Sequence, residues 1–255
     1  MDGQKKPYFR STDYIGSPRY RKVSMASLVI AIDGPAASGK GTLARRIAER
    51  LNFAYLDTGS IYRCAALYLL RELKASADDG AAAIKAAEYV RDNLDNFMLS
   101  NPDIRAEDVA QATSKIAANQ DVRDILLDAQ RKYADNPPEN EGMPVGGAIL
   151  DGRDIGTVVC PKADVKLYIT ASNEVRAKRR FDELTARGEN VDYDAVLSEM
   201  IERDKRDSER AVAPLKPADD AFIIDTSGQD RKEVLSRALD IIRGHLAEQV
   251  AKNAP

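Results

Sequence analysis

Leu28-Val29-Ile30-Ala31-Ile32-Asp33 runs directly into Gly34-Pro35-Ala36-Ala37-Ser38-Gly39-Lys40-Gly41-Thr42. An apolar run that halts at glycine and resumes with Leu43, Ile47 and Leu51 at helical spacing reads as strand, tight loop and helix over 40–51. The start of that helix leaves backbone N–H groups unpaired in one concave turn, and Lys40 adds a positive charge, which makes a polyphosphate cradle. A side chain at Gly34 or Gly39 would hold phosphates away from the backbone, and Gly39 is expected to need a φ open only to glycine. The spacing is that of a phosphate-binding loop, G-x-x-x-x-G-K, except that Gly41 stands where a hydroxyl usually follows and Thr42 comes one place later. The hydroxyl on the metal side is therefore shifted or absent.

Outward from this junction the chain alternates strands with helical patterns. Further strands are expected at Phe53-Ala54-Tyr55-Leu56, Ala148-Ile149-Leu150, Val165-Lys166-Leu167-Tyr168-Ile169 and Ala221-Phe222-Ile223-Ile224. Five strands joined by crossover helices predict an α/β fold with a parallel sheet that binds ligand beyond the strands' carboxyl ends. The span 60–141 reads almost wholly as helix, broken at Pro102 and at Asn136-Pro137-Pro138-Glu139-Asn140. It is expected to form an inserted lobe on the sheet's edge rather than a separate domain.

Composition excludes several classes. With 255 residues, 44% of them hydrophobic, the chain can bury a good core, yet no apolar run approaches the roughly 20 residues of a membrane span. A net charge of −3 argues against a general nucleic-acid surface. Cys64 and Cys160 read as reduced thiols, which makes a cytoplasmic compartment the default, and the lone His245 supports neither a Ser-His-Asp triad nor a histidine metal site. Residues 1–24 are basic, carry Pro7, Gly16 and Pro18, lack an apolar period, and are expected to be a disordered tail before Met25. The remainder, 25–255, reads as one domain.

The strand ends carry the remaining chemistry. Asp57-Thr58-Gly59-Ser60-Ile61-Tyr62-Arg63 supplies a turn, hydroxyls, a helix start and an arginine, while Asp151-Gly152-Arg153-Asp154-Ile155-Gly156-Thr157 follows the third strand. Two arginine-bearing strand ends facing the first cradle suggest two phosphorylated ligands. Arg203, Arg206, Asp207 and Arg210 fall at i, i+3, i+4 and i+7, so a continuous helix would place them on one cationic face. Upstream, Arg176, Lys178, Arg179, Arg180 and Arg187 complete a basic helical pair that could close over phosphates as a lid.

These blocks closely resemble the bacterial cytidylate kinases, a branch of the nucleoside monophosphate kinases. The resemblance rests on Ile32-Asp33-Gly34-Pro35 with Gly39-Lys40-Gly41-Thr42, on the two strand-end blocks extended through Val159, and on Glu202-Arg203-Asp204, Arg206-Asp207 and Arg210-Ala211-Val212-Ala213-Pro214-Leu215. It spans about 27–246, and the Lys40-Gly41-Thr42 ending is normal in that group. It implies a three-layer P-loop kinase fold, with a five-stranded parallel sheet, a monophosphate-binding insertion at about 60–145 and a short lid at about 176–212. It also implies ATP-dependent phosphorylation of CMP and dCMP. Gly34 through Thr42 would hold the ATP phosphates; Thr58, Arg63 and Arg153 the CMP phosphate; Ser114, Arg123 and Asp154 the cytosine; Arg203 and Asp207 the sugar. Lys40, Arg153, Arg203 and Arg210 would neutralise the group in transfer, with magnesium (Mg2+) held mainly by ATP phosphates and water and Thr42 nearby. The chain departs from the family pattern in having Thr58 for serine, a shorter lobe after Phe97-Met98-Leu99-Ser100, and extra residues at 136–144.

No general base is required in this reading, because a phosphate monoester with a second pKa of about 6 is already largely dianionic at neutral pH. Asp154 suits cytosine because a carboxylate accepts from the 4-amino group that uracil lacks. A different small-molecule kinase would keep the loop and lose Asp154 and the 203–210 pattern, and a guanine-nucleotide switch would need an Asn-Lys-x-Asp segment. A nucleic-acid polymer would call for exposed basic stripes with interleaved aromatics, yet aromatics are only 6% of the chain. The expected partners are ATP and CMP or dCMP, with no nucleic acid and no membrane, and the chain is expected to be a monomer.

Overall fold

The computed structural model describes residues 28–252, so the expectation for the basic tail lies outside the described residues. Its centre is β1 (Leu28–Asp33), which pairs in parallel with β3 (Gly147–Gly152) on one side and β4 (Val165–Thr170) on the other. β2 (Ala54–Asp57) lies outside β3 and β5 (Phe222–Asp225) outside β4, giving the order β2-β3-β1-β4-β5 with every pairing parallel. The connection out of β1 therefore runs toward one edge of the sheet while those out of its neighbours β3 and β4 run toward the other, and the crevice at the carboxyl end of β1 is where such sheets hold ligands.

Parallel strands must be covered on both faces, which is why their sequences are nearly continuous apolar runs. Ile30, Ile32, Ile149 and Leu167 face α1 (Lys40–Leu51) and α9 (Arg231–Lys252), packing with Leu43, Ile47, Ala238 and Ile242. Ala31, Leu56, Ala148 and Leu150 turn to the opposite face. There α2 (Thr58–Arg71) and α6 (Gln120–Asp135) cover them through Ile61, Leu69 and Leu126, and α3 (Gly80–Asn93) and α5 (Glu107–Ile116) stack on the outside of these helices through Val90 and Val109. The helical insertion, which also contains the short α4 (Asn96–Ser100), therefore packs on a face of the sheet and not on its edge. The physical reason is that this apolar row has no other cover.

Two helices, α7 (Asn173–Ala186) and α8 (Tyr193–Glu209), form a hairpin beyond the carboxyl ends of the strands. Ala177, Leu184, Val196 and Met200 make its small core, and Ala36 and Ala37 of the loop after β1 pack against it. Ser172 and Asp192 cap the two helices by accepting from Val175 and Ala195 N–H groups. No described helix is long and apolar enough to cross a membrane.

Candidate active site

The loop after β1 owes its course to two glycines. Gly34 has φ +152°, and a Cβ there would lie 2.0 Å from the Ile169 carbonyl oxygen, so the close approach it permits is to β4. Gly39 has φ +92°, the left-handed conformation expected of it, and opens α1. Lys40 curls back so that its ammonium donates to the Pro35 carbonyl at 3.2 Å. Burial pushes that ammonium's pKa down to about 7, helped by the charge of Arg153. An anion in the cradle would offset both by its charge.

A cavity of about 300 Å³ opens beside this loop, bounded by the carboxyl ends of β2 and β3, the insertion and the α7–α8 hairpin. Seven basic residues against five acidic ones line it. Arg203 is pushed down to about 10, first by burial and then by Arg153, and Arg63 and Arg210 are lowered chiefly by burial as well. Such a concentration of desolvated cations is unfavourable in isolation and favours a polyanionic ligand.

Local structure fixes each wall. α2 begins at Thr58 directly after β2, and the Thr58 hydroxyl donates to the Asp151 carbonyl at 2.8 Å, joining the ends of β2 and β3. One turn on, Arg63 donates to the Ile104 carbonyl at 3.1 Å. Arg153 reaches Asp207 of α8 at 3.2 Å. Asp154 is buried in an ion pair with Arg123 of α6, and Arg210 lies 3.9 Å from its other oxygen. The Ser114 hydroxyl, Arg203 Nε and Arg210 Nη2 are buried at this cavity with no hydrogen-bond partner. Each such donor in a packed site carries a desolvation cost that a polar ligand would remove.

The metal side has its own logic. A Cβ at Gly41 would stand 3.1 Å from Asp151 Oδ2, so this carboxylate occupies the space a Ser or Thr side chain would claim. Burial and the neighbouring Asp57 push the Asp151 carboxyl up to about 7, and the Tyr55 hydroxyl donates to it at 3.2 Å. Among the described residues no cluster of three or more His, Cys, Asp or Glu side chains could hold a metal by itself.

The geometry brings together Lys40, Thr58, Arg63, Ser114, Arg123, Arg153, Asp154, Arg203, Asp207 and Arg210, all on this one cavity. Of the phosphate loop, Ala36, Ala37, Lys40 and Gly41 line it, whereas Thr42 is exposed on α1, one position past the residue that faces Asp151. The single cationic helix face expected over 203–210 does not exist in that form. α8 ends at Glu209, Arg210 is extended and donates to the Ala213 carbonyl at 2.6 Å, and Arg206 is exposed. Nor do all the α7 arginines face the cavity: Arg176 is buried against Asp204 and donates to the Ala36 carbonyl, and Arg179 turns to the Ser38 carbonyl. Residue-by-residue reading passed over Tyr62, which lines the cavity with the Arg123 guanidinium 5.7 Å from its ring centroid. Its position one turn after Thr58 on α2 was the available signal.

Comparison with known proteins gives a consistent family. The cytidylate kinase family model matches residues 30–244. The cytidylate kinase of Paramagnetospirillum magneticum is 51% identical over 216 residues, covering 85% of this chain and 98% of that protein. The cytidylate kinase of Methylocella silvestris is 50% identical over 215 residues, covering 84% and 94%. The chain belongs to the cytidylate kinase family.

Proposed function

We propose that this member of the cytidylate kinase family transfers the γ-phosphoryl group of ATP to CMP and dCMP. The observation that carries the choice of acceptor is Asp154, a buried carboxylate between Arg123 and Arg210 on the same cavity as the unpartnered Ser114 hydroxyl. Asp154 accepts from the cytosine 4-amino group, while Arg123 and Ser114 supply donors for the ring's acceptor edge. Uracil in the same place would leave the carboxylate facing a carbonyl oxygen.

The backbone N–H groups of the phosphate loop and Lys40 hold the ATP phosphates; Thr58, Arg63 and Arg153 hold the acceptor phosphate; Arg203 and Asp207 hold the sugar. Two phosphates repel as they approach, so the principal work of the site is neutralisation. In this reading Lys40, Arg153, Arg203 and Arg210, which line one cavity, neutralise the charge that builds on the equatorial oxygens of the transferring group. The acceptor oxygen needs no base because the monoester is already dianionic.

Magnesium fits this donor set. Bound with ATP, it supplies charge neutralisation at the β- and γ-phosphates. Asp151, in the space left by Gly41, and Asp57, on the same cavity wall, would hold it through oxygen or water. We assign 60–145 as the acceptor-binding insertion and 176–212 as the lid, its root fixed to the phosphate loop by Arg176 and Arg179.

The test is ADP release with ATP, Mg2+ and, separately, CMP, dCMP, UMP and AMP. CMP and dCMP should be turned over well above UMP and AMP; no monophosphate raising ADP release above the ATP-only rate would overturn the assignment.

A further inference from the structure

We infer that Arg179 and Thr226 are positioning residues for the phosphate loop, orienting the Ser38–Gly39 peptide from behind without touching the nucleotide. The inference rests on that loop being the ATP site. The carbonyl oxygen of Ser38 accepts from Arg179 Nη1 at 3.2 Å and from Thr226 Oγ1 at 3.0 Å. In a trans peptide the C=O and N–H point in opposite directions, so a carbonyl held toward α7 and the end of β5 aims the Gly39 N–H the other way, into the cradle.

The partners are themselves held in place. Arg179 Nη1 also donates to the Thr226 hydroxyl at 2.9 Å, and Nη2 to the Thr226 carbonyl at 2.8 Å. Thr226 is buried, and its single hydroxyl proton has two acceptors in reach, Ser38 O at 3.0 Å and Thr170 O at 3.1 Å. The Thr170 carbonyl already accepts the Thr226 backbone N–H at 2.8 Å and the Ser38 carbonyl already accepts from Arg179, so the hydroxyl proton has two acceptors that each hold one other donor, with Ser38 O the nearer. A forked guanidinium and a buried hydroxyl thus converge on one peptide of the loop. Gly39, at φ +92°, has little backbone preference of its own to hold that peptide. Arg176 does something similar at the Ala36 carbonyl, but its loss would also strand Asp204, so it makes a poorer test.

The experiment compares T226V, T226S, R179M, R179K and the double variant T226V/R179M with wild type. Binding of a ribose-labelled fluorescent ATP is measured alongside KM for ATP and for CMP. T226V and R179M should each weaken ATP binding and raise the ATP KM at least fivefold while the CMP KM stays within twofold. T226S, which keeps the hydroxyl, should match wild type, and R179K should recover part of the loss. The double variant should lose more than the product of the single losses, since the Ser38 carbonyl then has neither donor. ATP parameters within twofold of wild type in both single variants, or ATP and CMP weakening alike, would overturn the inference. K40M is the control for the underlying reading: if it binds the labelled ATP like wild type, the loop is not the ATP site and the inference falls with that reading.

Discussion

The carboxylate of Asp33, the last residue of β1, accepts the backbone N–H of Ile155 at 2.7 Å, and its second oxygen accepts that of Gly156 at 2.8 Å. One side chain therefore ties the strand that launches the phosphate loop to the segment that presents Arg153 and Asp154. The donor and acceptor halves of the site are registered against each other through it.

Replacing Asp33 with Asn leaves one acceptor oxygen and turns an NH2 toward the other N–H. At pH 7, D33N should cost about 2–3 kcal/mol of stability, and it should raise the CMP KM more than the ATP KM. Thermal unfolding and steady-state kinetics check the two parts.

The same residue predicts a pH effect. Burial pushes the Asp33 carboxyl up to about 6 from its ordinary 3.8. Between those values the folded state holds a proton that the unfolded chain has released. Its contribution is therefore complete below about pH 4 and lost as pH rises through 6. The unfolding free energy of wild type minus that of D33N should fall by about 2 kcal/mol from pH 4 to pH 7. A difference independent of pH would contradict the assignment.

Asp151 predicts an acid limb in kinetics. Its carboxyl is pushed up to about 7, and the Tyr55 hydroxyl counteracts the rise by donating to the ionised form. If the ionised carboxylate serves the magnesium side, kcat/KM for ATP should fall as pH drops below about 7. In Y55F the limb should move to higher pH. An unmoved limb would remove Asp151 from that role.

Gly41 leaves space that Asp151 uses. A methyl group at this position meets the carboxylate at 3.1 Å, so G41A should displace it and lower kcat/KM for ATP by about tenfold, near 1.4 kcal/mol. CMP binding, measured without ATP, should be unaffected.

The Arg123–Asp154 pair is buried on both sides. Removing the cation strands a carboxylate in a desolvated place, and R123M should destabilise the protein by about 3–5 kcal/mol. Thermal unfolding with and without CMP measures this, and a change under about 1 kcal/mol would mean the pair is solvated.

Much of this architecture was legible because its signals are local. Glycine spacing, the apolar run before it and the helical period after it predict β1, the loop and α1 at Lys40–Leu51, and the other strands fall within two residues of expectation. Asp57, Thr58, Arg63, Arg153 and Asp154 were found because strand ends in a parallel sheet face one crevice. Ser114 and Arg123 carry no local signature and came from resemblance alone. Other features depend on partners far away in the chain. Arg176 finds Ala36 across 140 positions, and Thr226 finds Ser38 across 188. Arg210 leaves the expected helix face because α8 stops at Glu209, where the chain turns toward Ala213. Charge spacing cannot reveal which arginine serves the ligand and which braces the loop.

The most direct test of the account is the ratio of kcat/KM for CMP to that for UMP, measured in wild type and in D154N. If Asp154 reads the 4-amino group, the ratio should fall by about hundredfold in D154N, mainly through loss of CMP turnover. A ratio unchanged while both activities drop together would contradict the account, leaving Asp154 as a brace for Arg123 and Arg210 and not the residue that selects cytosine.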